Sequence, residues 1–573
     1  MLEFKRCCDL KTGEEYIETP LAGKVLLSIA QLNKGTAFTE RERHEFRLLG
    51  KLPPRIETLQ EQVARAYEQY SAFKGALERN IYLHNIHDIN QVLFYHLVNK
   101  HLQEMLPMIY TPIVGTAVKS FSREYRRSRG LYLAYPEADY MEEILDNRSN
   151  PEIDLIVVTD GEGVLGIGDQ GVGGMDIPIA KLMVYTLCAG IDPTRTMPVQ
   201  LDVGTNNETL LNDPFYLGLR EKRVAGAKYD AFIDKFVSAV KKKFPNAFLH
   251  WEDFGRGTAR PILDRYKNEL CTFNDDIQGT GAVALAAVLA GIKHKKETLA
   301  EQRIVVFGAG SAGTGMADQI RDAMLRQGLS PTEAAKRFWL LDQPGLLLSD
   351  MENLTLAQKT YARDRQEVAH WLVANPRYIN LTDVVANIQP TILIGSSAQP
   401  GAFTEAIVRQ MALQSKQPII LPLSNPTEKI EARPEQLLEW TDGRVLLATG
   451  SPFEPIQFRG KQRVIAQCNN ALIFPGLGLG LITAKAKRCT AGMLWAACDV
   501  LSDFAPINQH ADAPLLPGLE QAREIAAKIA AAVVIEAQRE GLAQVEIHAD
   551  NLEKTIRSQM WEPHYVPYRR KEL

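Results

Sequence analysis

From Ile56 to Tyr67 the apolar positions Ile56, Leu59, Val63, Ala64 and Tyr67 recur every three or four residues, a spacing that predicts an amphipathic helix. Asn90 to Leu106 repeats it, with Pro107 expected as the stop and Leu52-Pro53-Pro54 as the break before the first helix. Residues 1–125 therefore read as a helical region. Beyond residue 126 the pattern changes. Ile153–Thr159 is a continuous apolar run closed by Asp160-Gly161, which predicts a buried strand. Glycines then crowd positions 161–174, and Pro178–Tyr185 predicts a helix carrying Lys181. Met197–Val203 and Ala247–Trp251 are further strands, the second ending on Glu252 and Asp253, where open α/β sheets place their ligands.

A second α/β stretch, 276–469, has predicted strands at Arg303–Phe307, Phe338–Leu341, Thr391–Ile394, Pro418–Leu423 and Val445–Ala448. Each ends in small or polar residues. Helices follow residue 470. Trp561–Arg570 is aromatic and proline-spaced, which excludes a long helix and predicts an extended arm needing a surface, such as that of a neighbouring subunit. The fold class is multidomain α/β: 1–125 helical, 126–275 with 470–535 as one α/β domain, 276–469 as a second of Rossmann type, and 536–573 as a C-terminal helix and arm.

Composition narrows this. At 573 residues the chain exceeds a single core. With 45% hydrophobic and 23% charged residues it is an ordinary globular sequence. A net charge of −4 gives a nucleic-acid role no global support. The basic run Arg123–Arg129 reads as a solvated helix face or subunit contact, with an anionic ligand site as the alternative. Seven cysteines without CxxC spacing make no disulfide framework, so a reducing, cytoplasmic setting is expected. The N-terminus has no signal-peptide pattern, and the apolar run Ala282–Ile292 is too short to span a bilayer, so no membrane association is expected.

Candidate chemistry begins at Gly308-Ala309-Gly310-Ser311-Ala312-Gly313, a GxGxxG loop with a predicted strand before it and a helix after. Gly308 suits the tight turn, Gly310 the close approach of a pyrophosphate and Gly313 close helix packing, while the helix N-terminus supplies amides. Asp342, at the end of the next strand, is the candidate ribose ligand and favours NAD over NADP, although Lys336 or Arg337 could hold a phosphate. It lies further on than the usual ~20 residues, so the intervening helix is expected to be extended. Upstream stand two acidic pairs, Glu252-Asp253 and Asp275-Asp276, flanked by Trp251, Phe254, Phe273 and Ile277. Paired acids are commonly surface decoration, but the apolar flanks argue for an internal site. Hard cations such as Mg²⁺ or Mn²⁺ want several oxygens, and no run of His or Cys nearby points to zinc.

Taken together, Leu32–Phe38, Ile109-Tyr110-Thr111-Pro112, Val158–Glu162, Leu201–Asn207, Glu252-Asp253-Phe254, Phe273–Thr280, Ser424–Thr427 and Cys468-Asn469-Asn470 resemble the malic enzyme family over essentially the whole chain. The resemblance implies binding of (S)-malate, NAD and a divalent metal, oxidative decarboxylation to pyruvate and CO₂, activity on oxaloacetate, and a homodimer or homotetramer assembled through the N-terminal helical domain. It places metal ligands on Glu252, Asp253 and Asp276, with Asp275 supporting catalysis behind them and Asp276 also bordering the cofactor. It makes Lys181 the general base, acting as a neutral amine, and Tyr110 the proton donor to carbon 3. Asn425 and Asn470 fall near nicotinamide and substrate, with Asn469 beside them.

The chain departs from the family pattern at two positions. Gly163 stands where the family reads an arginine that contacts the substrate carboxylate, and Asp176 where it reads glycine. With Leu249–Arg256 and Ala189–Pro193, these resemble the malolactic branch, which would turn (S)-malate into (S)-lactate and CO₂ with NAD and Mn²⁺. Arg256 is a positional candidate to replace the lost cation. The segments around Tyr110 and the C-terminal arm resemble bacterial NAD malic enzymes, so the oxidative reaction is the primary expectation. A non-enzymatic NAD-binding scaffold would be expected to have lost Lys181, Tyr110 or a metal ligand. A metal-free hydroxy-acid dehydrogenase would use a histidine base. His250 is the nearest histidine and reads as packing.

Overall fold

The computed structural model describes residues 4–9, 11–148 and 150–571. They form two compact units, 1–247 with 558–573, and 248–557.

In the first unit, helices Leu59–Ala72, Ala76–Ile89, Gln91–Lys100, Leu102–Ile109 and Val114–Glu124 follow one another, several opened by side-chain caps such as Thr58 with Glu61. Pro107 does not end its helix. The break comes at His101, whose ring stacks on Tyr67, and Pro107 sits inside Leu102–Ile109. Strands Leu131–Ala134 and Leu155–Thr159 flank Thr196–Asp202 in parallel. Helix Asp176–Ala189, longer than the apolar pattern predicts, is buried at almost every position. The N-terminal region also contains a hairpin, Lys5–Cys8 with Glu15–Thr19, that the helical reading misses. The C-terminal strand Tyr568–Arg570 completes it by pairing with Glu15–Thr19 in parallel. The arm's surface is thus its own chain. Tyr568 and Val566 join the core of Leu26, Leu32, Phe38, Phe46 and Leu48, Tyr568 donates to the Leu32 carbonyl at 2.8 Å, and Tyr565 donates to Gln62 at 2.7 Å.

The second unit is built on a seven-stranded sheet in the order Gly345–Leu346, Phe338–Asp342, Ile304–Phe307, Ile392–Gly395, Ile419–Pro422, Leu446–Thr449 and Ala466–Gln467. All its pairings are parallel except the first. From Ile304–Phe307 the chain first builds on one side and then returns to the other, making a topological switch point beside that strand. Helix Ser311–Arg326 follows it, and the long interval to Asp342 is filled by a separate short helix, Pro331–Ala335, rather than by one extended helix. Strand Phe248–Trp251 pairs in parallel with Thr272–Asn274, which runs into a turn of π-helix, Asp275–Gly279, and then helix Thr280–Lys295.

Two helical stretches, Gly171–Ala189 and Asp275–Lys295, have the length and apolarity of membrane spans but are 94% and 83% buried in protein. They are core helices.

Candidate active site

Strand Phe248–Trp251 alternates its side chains, so His250 and the next-but-one residue, Glu252, project to one side. At the strand exit Asp253 takes a left-handed backbone, φ 56°, a conformation aspartate tolerates better than most residues and one that concentrates at functional sites. The turn swings the Asp253 carboxylate toward its neighbour's. The other acidic pair arrives on the π-helical turn, a local widening often found where side chains must be re-aimed. Gly279 makes room for it, because a Cβ there would lie 1.8 Å from Asp275 Oδ1.

The result is a convergence. Carboxylate oxygens of Glu252, Asp253 and Asp276 all lie within 4.8 Å of one another, as do the ligand atoms of His250, Glu252 and Asp275. Glu252, Asp253 and Asp275 are buried. Three of the four carboxylates have a donor beside them here: His250 Nε2 is 2.6 Å from Glu252, the Asp253 amide donates to Asp276 at 2.9 Å, and Asn470 Nδ2 donates to Asp275 at 2.9 Å. At 4.8 Å or closer, two carboxylates repel by at least about 3 kcal/mol at an effective dielectric of about 20. A hydrogen bond to a charged group offsets about 1.5–3 kcal/mol, and it is already needed to replace lost hydration. The cluster could hold a divalent cation, and an all-oxygen set of this kind suits a hard one.

The same unit holds the glycine loop. Gly308, at φ 103°, runs so close to the Ser396 carbonyl that a Cβ would be 2.5 Å from it, and a Cβ on Gly313 would be 1.9 Å from the Gly308 carbonyl. Gly310, by contrast, faces open space, leaving its backbone approachable. Ser311 and Ala312 open the helix, so its free amides face the loop. Asp342 ends strand Phe338–Asp342, its Oδ1 accepting from the Gln343 amide at 2.9 Å and its Oδ2 from Gln358 Nε2 at 3.1 Å. Gln358 also donates to the Ala309 carbonyl at 3.0 Å, which ties Asp342 to the loop. Loop helix and acidic turn are in contact: a Cβ on Gly315 would lie 2.6 Å from the Ile277 carbonyl. Asn425 is exposed and accepts from Ser451 Oγ at 2.5 Å, while Asn469 caps the turn Asn470–Leu472, accepting from the Ala471 amide.

In the first unit, Lys181 is only 3% exposed, and its ammonium lies 5.3 Å from the centre of the Tyr110 ring. The nearby glycine-rich loop is braced by Arg223, which pairs with Asp169 at 2.7 Å and donates to the Asp160 carbonyl at 3.1 Å. Burial pushes the Asp160 carboxyl up, against the pull of Arg223 and a 2.6 Å hydrogen bond from Tyr229. Asp176 opens the Lys181 helix and lines a cavity with Arg126, Arg127, Arg129, His84 and Tyr132.

Residues 87–267 match the model of the malic enzyme N-terminal domain, and residues 277–538 that of the malic enzyme NAD-binding domain. The chain is 51% identical over 561 residues to NAD-dependent malic enzyme 3 of Bacillus subtilis (97% of this chain, 99% of that one), and 48% identical over 562 residues to NAD-dependent malic enzyme of Pseudomonas aeruginosa strain UCBPP-PA14 (98% and 99%).

The chain belongs to the malic enzyme family.

Its fold is shared with the malic enzyme structures of Pyrococcus horikoshii (TM-score 0.54, 21% identity, covering 80% of this chain and 89% of that one) and Entamoeba histolytica (0.55, 21%, 90% and 90%). The malic enzyme motifs fall into three groups in the structure: the carboxylate cluster with Asn470, the glycine loop with Asp342, and the Lys181–Tyr110 pair. Sequence reasoning missed Gln358 and the second role of His250. Gln358 is visible in the sequence only as the last residue of a Thr355-x-x-Gln358 capping box, which its Oε1 completes at 3.0 Å from the Thr355 amide. His250 does pack among aromatic rings, and it also holds Glu252.

Proposed function

We propose that this malic enzyme oxidises (S)-malate with NAD and a divalent cation, Mg²⁺ or Mn²⁺, and releases pyruvate, CO₂ and NADH. The observation that carries the reading is the convergence of Glu252, Asp253 and Asp276 in the unit that also bears the dinucleotide loop. The names of the relatives in Bacillus subtilis and Pseudomonas aeruginosa support NAD as the cofactor.

Glu252, Asp253 and Asp276 would hold the cation, which when bound supplies Lewis acidity to the 2-hydroxyl and to the oxygen that gains charge on loss of CO₂. NAD, held by Gly308–Gly313 and Asp342, supplies the hydride acceptor. Lys181 removes the proton of the 2-hydroxyl, and its burial beside Tyr110 keeps water from competing for that role. Tyr110 returns a proton to carbon 3 after decarboxylation. Asn470, braced on Asp275 and Thr280, and its neighbour Asn469 orient the acid, with Asn425. Asp275 fixes Asn470 rather than binding the cation. The family relationship supports a homodimer or homotetramer.

A second reading, malolactic conversion to (S)-lactate, is favoured specifically by Gly163 and Asp176. The deciding experiment supplies malate, NAD and Mn²⁺ and follows all products. Pyruvate with stoichiometric NADH is expected. Lactate without net NADH would replace the first reading with the second.

A further inference from the structure

Among the described residues, Glu252 is gripped from behind by a histidine with little freedom to move. His250 is fully buried, and Phe248, Phe273 and Phe474 surround its ring, the last two edge-on with centroids 5.4 and 5.9 Å away. Its Nε2 lies 2.6 Å from Glu252 Oε2. A carboxylate oxygen only accepts, so Nε2 must carry the hydrogen. Because the ring cannot rotate away, this bond fixes one oxygen of Glu252 and with it the plane of the carboxylate. The direction in which the other oxygen is offered to Asp253 and Asp276 is then set as well.

We infer that His250 is a positioning residue, whose Nε2–H holds Glu252 in the orientation that gives the carboxylate cluster its affinity for a divalent cation. The inference rests on the cation reading above. His250 is not among the residues assigned above to substrate or cofactor, and its role is exerted through Glu252. Groups that orient carboxylate ligands in this way change metal affinity by about 10–100-fold when removed. A ring that merely filled space would be replaced by another apolar side chain without that effect.

The test is Mn²⁺ alone, titrated into the full cofactor-free chain, with free Mn²⁺ read from its paramagnetic resonance signal. His250→Phe and His250→Met keep bulk and lose the donor. They should raise the Mn²⁺ dissociation constant about tenfold or more, whereas His250→Gln, which keeps an N–H donor, should stay within about threefold of the parent. Equal affinity in all four proteins, or a Gln variant as weak as Phe, overturns the inference. A parent protein that binds no Mn²⁺ sinks the cation reading instead, so the two failures are distinguishable. If neither donor-free variant folds, ¹⁵N-histidine spectra of the parent decide: an Nε2–H ring at His250 is expected, and an Nδ1–H tautomer overturns the proposal.

Discussion

Lys181 and Tyr110 meet away from bulk water, with the lysine side-chain nitrogen 5.3 Å from the centre of the tyrosine ring and Lys181 buried. If Lys181 moves the hydroxyl proton, Lys181→Ala should lower kcat by about 10²–10⁴ while leaving Mn²⁺ binding unchanged, read by NADH formation and by cation titration. A purely structural lysine would instead lower thermal stability with kcat intact. Asp176 belongs to a different balance. Its side chain is half-buried and lines a cavity, and desolvation there pushes its carboxyl up to about 6, with Arg129 pulling the other way. A raised carboxyl holds its proton more tightly in the folded than in the unfolded chain. Stability is therefore lost as pH climbs from the ordinary aspartate range through about 6, and no further above it. Asp176→Asn should remove that loss, so its advantage over the parent should grow between pH 4 and 6 to on the order of 2 kcal/mol. Melting curves across that range check it, and a constant gap refutes the assignment.

At the level of elements, the cofactor loop depends on atoms that are absent. Gly313→Ala would place a methyl 1.9 Å from the Gly308 carbonyl, so the turn or the helix start must shift. NADH affinity, followed by fluorescence, should fall at least about tenfold, as expected when groups lining a cofactor site lose their placement, and Mn²⁺ affinity should stay as it was. The strands and the loop between them were legible because buried parallel strands are apolar runs ended by glycine and polar residues. The meeting of Glu252 with Asp253 and Asp276 was legible only through the family resemblance, which places the metal ligands on these three, and not from the local pattern. It depends on the left-handed turn at Asp253 and the π-helical turn at Asp275–Gly279, neither of which leaves a mark on side-chain periodicity. Gln358 was hidden for a related reason. Its capping box announces a helix start, but nothing local says that the amide reaches Ala309 and Asp342.

At the scale of the whole molecule, the least legible feature was the sheet that joins the beginning of the chain to its end. Lys5–Cys8 is short and exposed, with no alternation to give it away, and its neighbour Glu15–Thr19 is paired with a strand near residue 570. Tyr568 anchors this arrangement between Phe38 and Phe46, with Lys34 over its ring at 4.0 Å. Tyr568→Ala should cost about 3–5 kcal/mol, as for other large aromatic truncations. The loss should appear as a lower melting transition of the first unit, with the Mn²⁺ affinity proposed for the second preserved. Loss of both together would show that the two units unfold as one.

That terminal strand has a consequence for how the protein is made. The unit containing residue 17 is closed by residue 568, so on the ribosome it must wait, incomplete, with Phe38 and Phe46 lacking their partner ring, while the entire dinucleotide unit is synthesised. The later-made, contiguous unit can finish folding first, reversing the usual N-terminal-first order of vectorial folding.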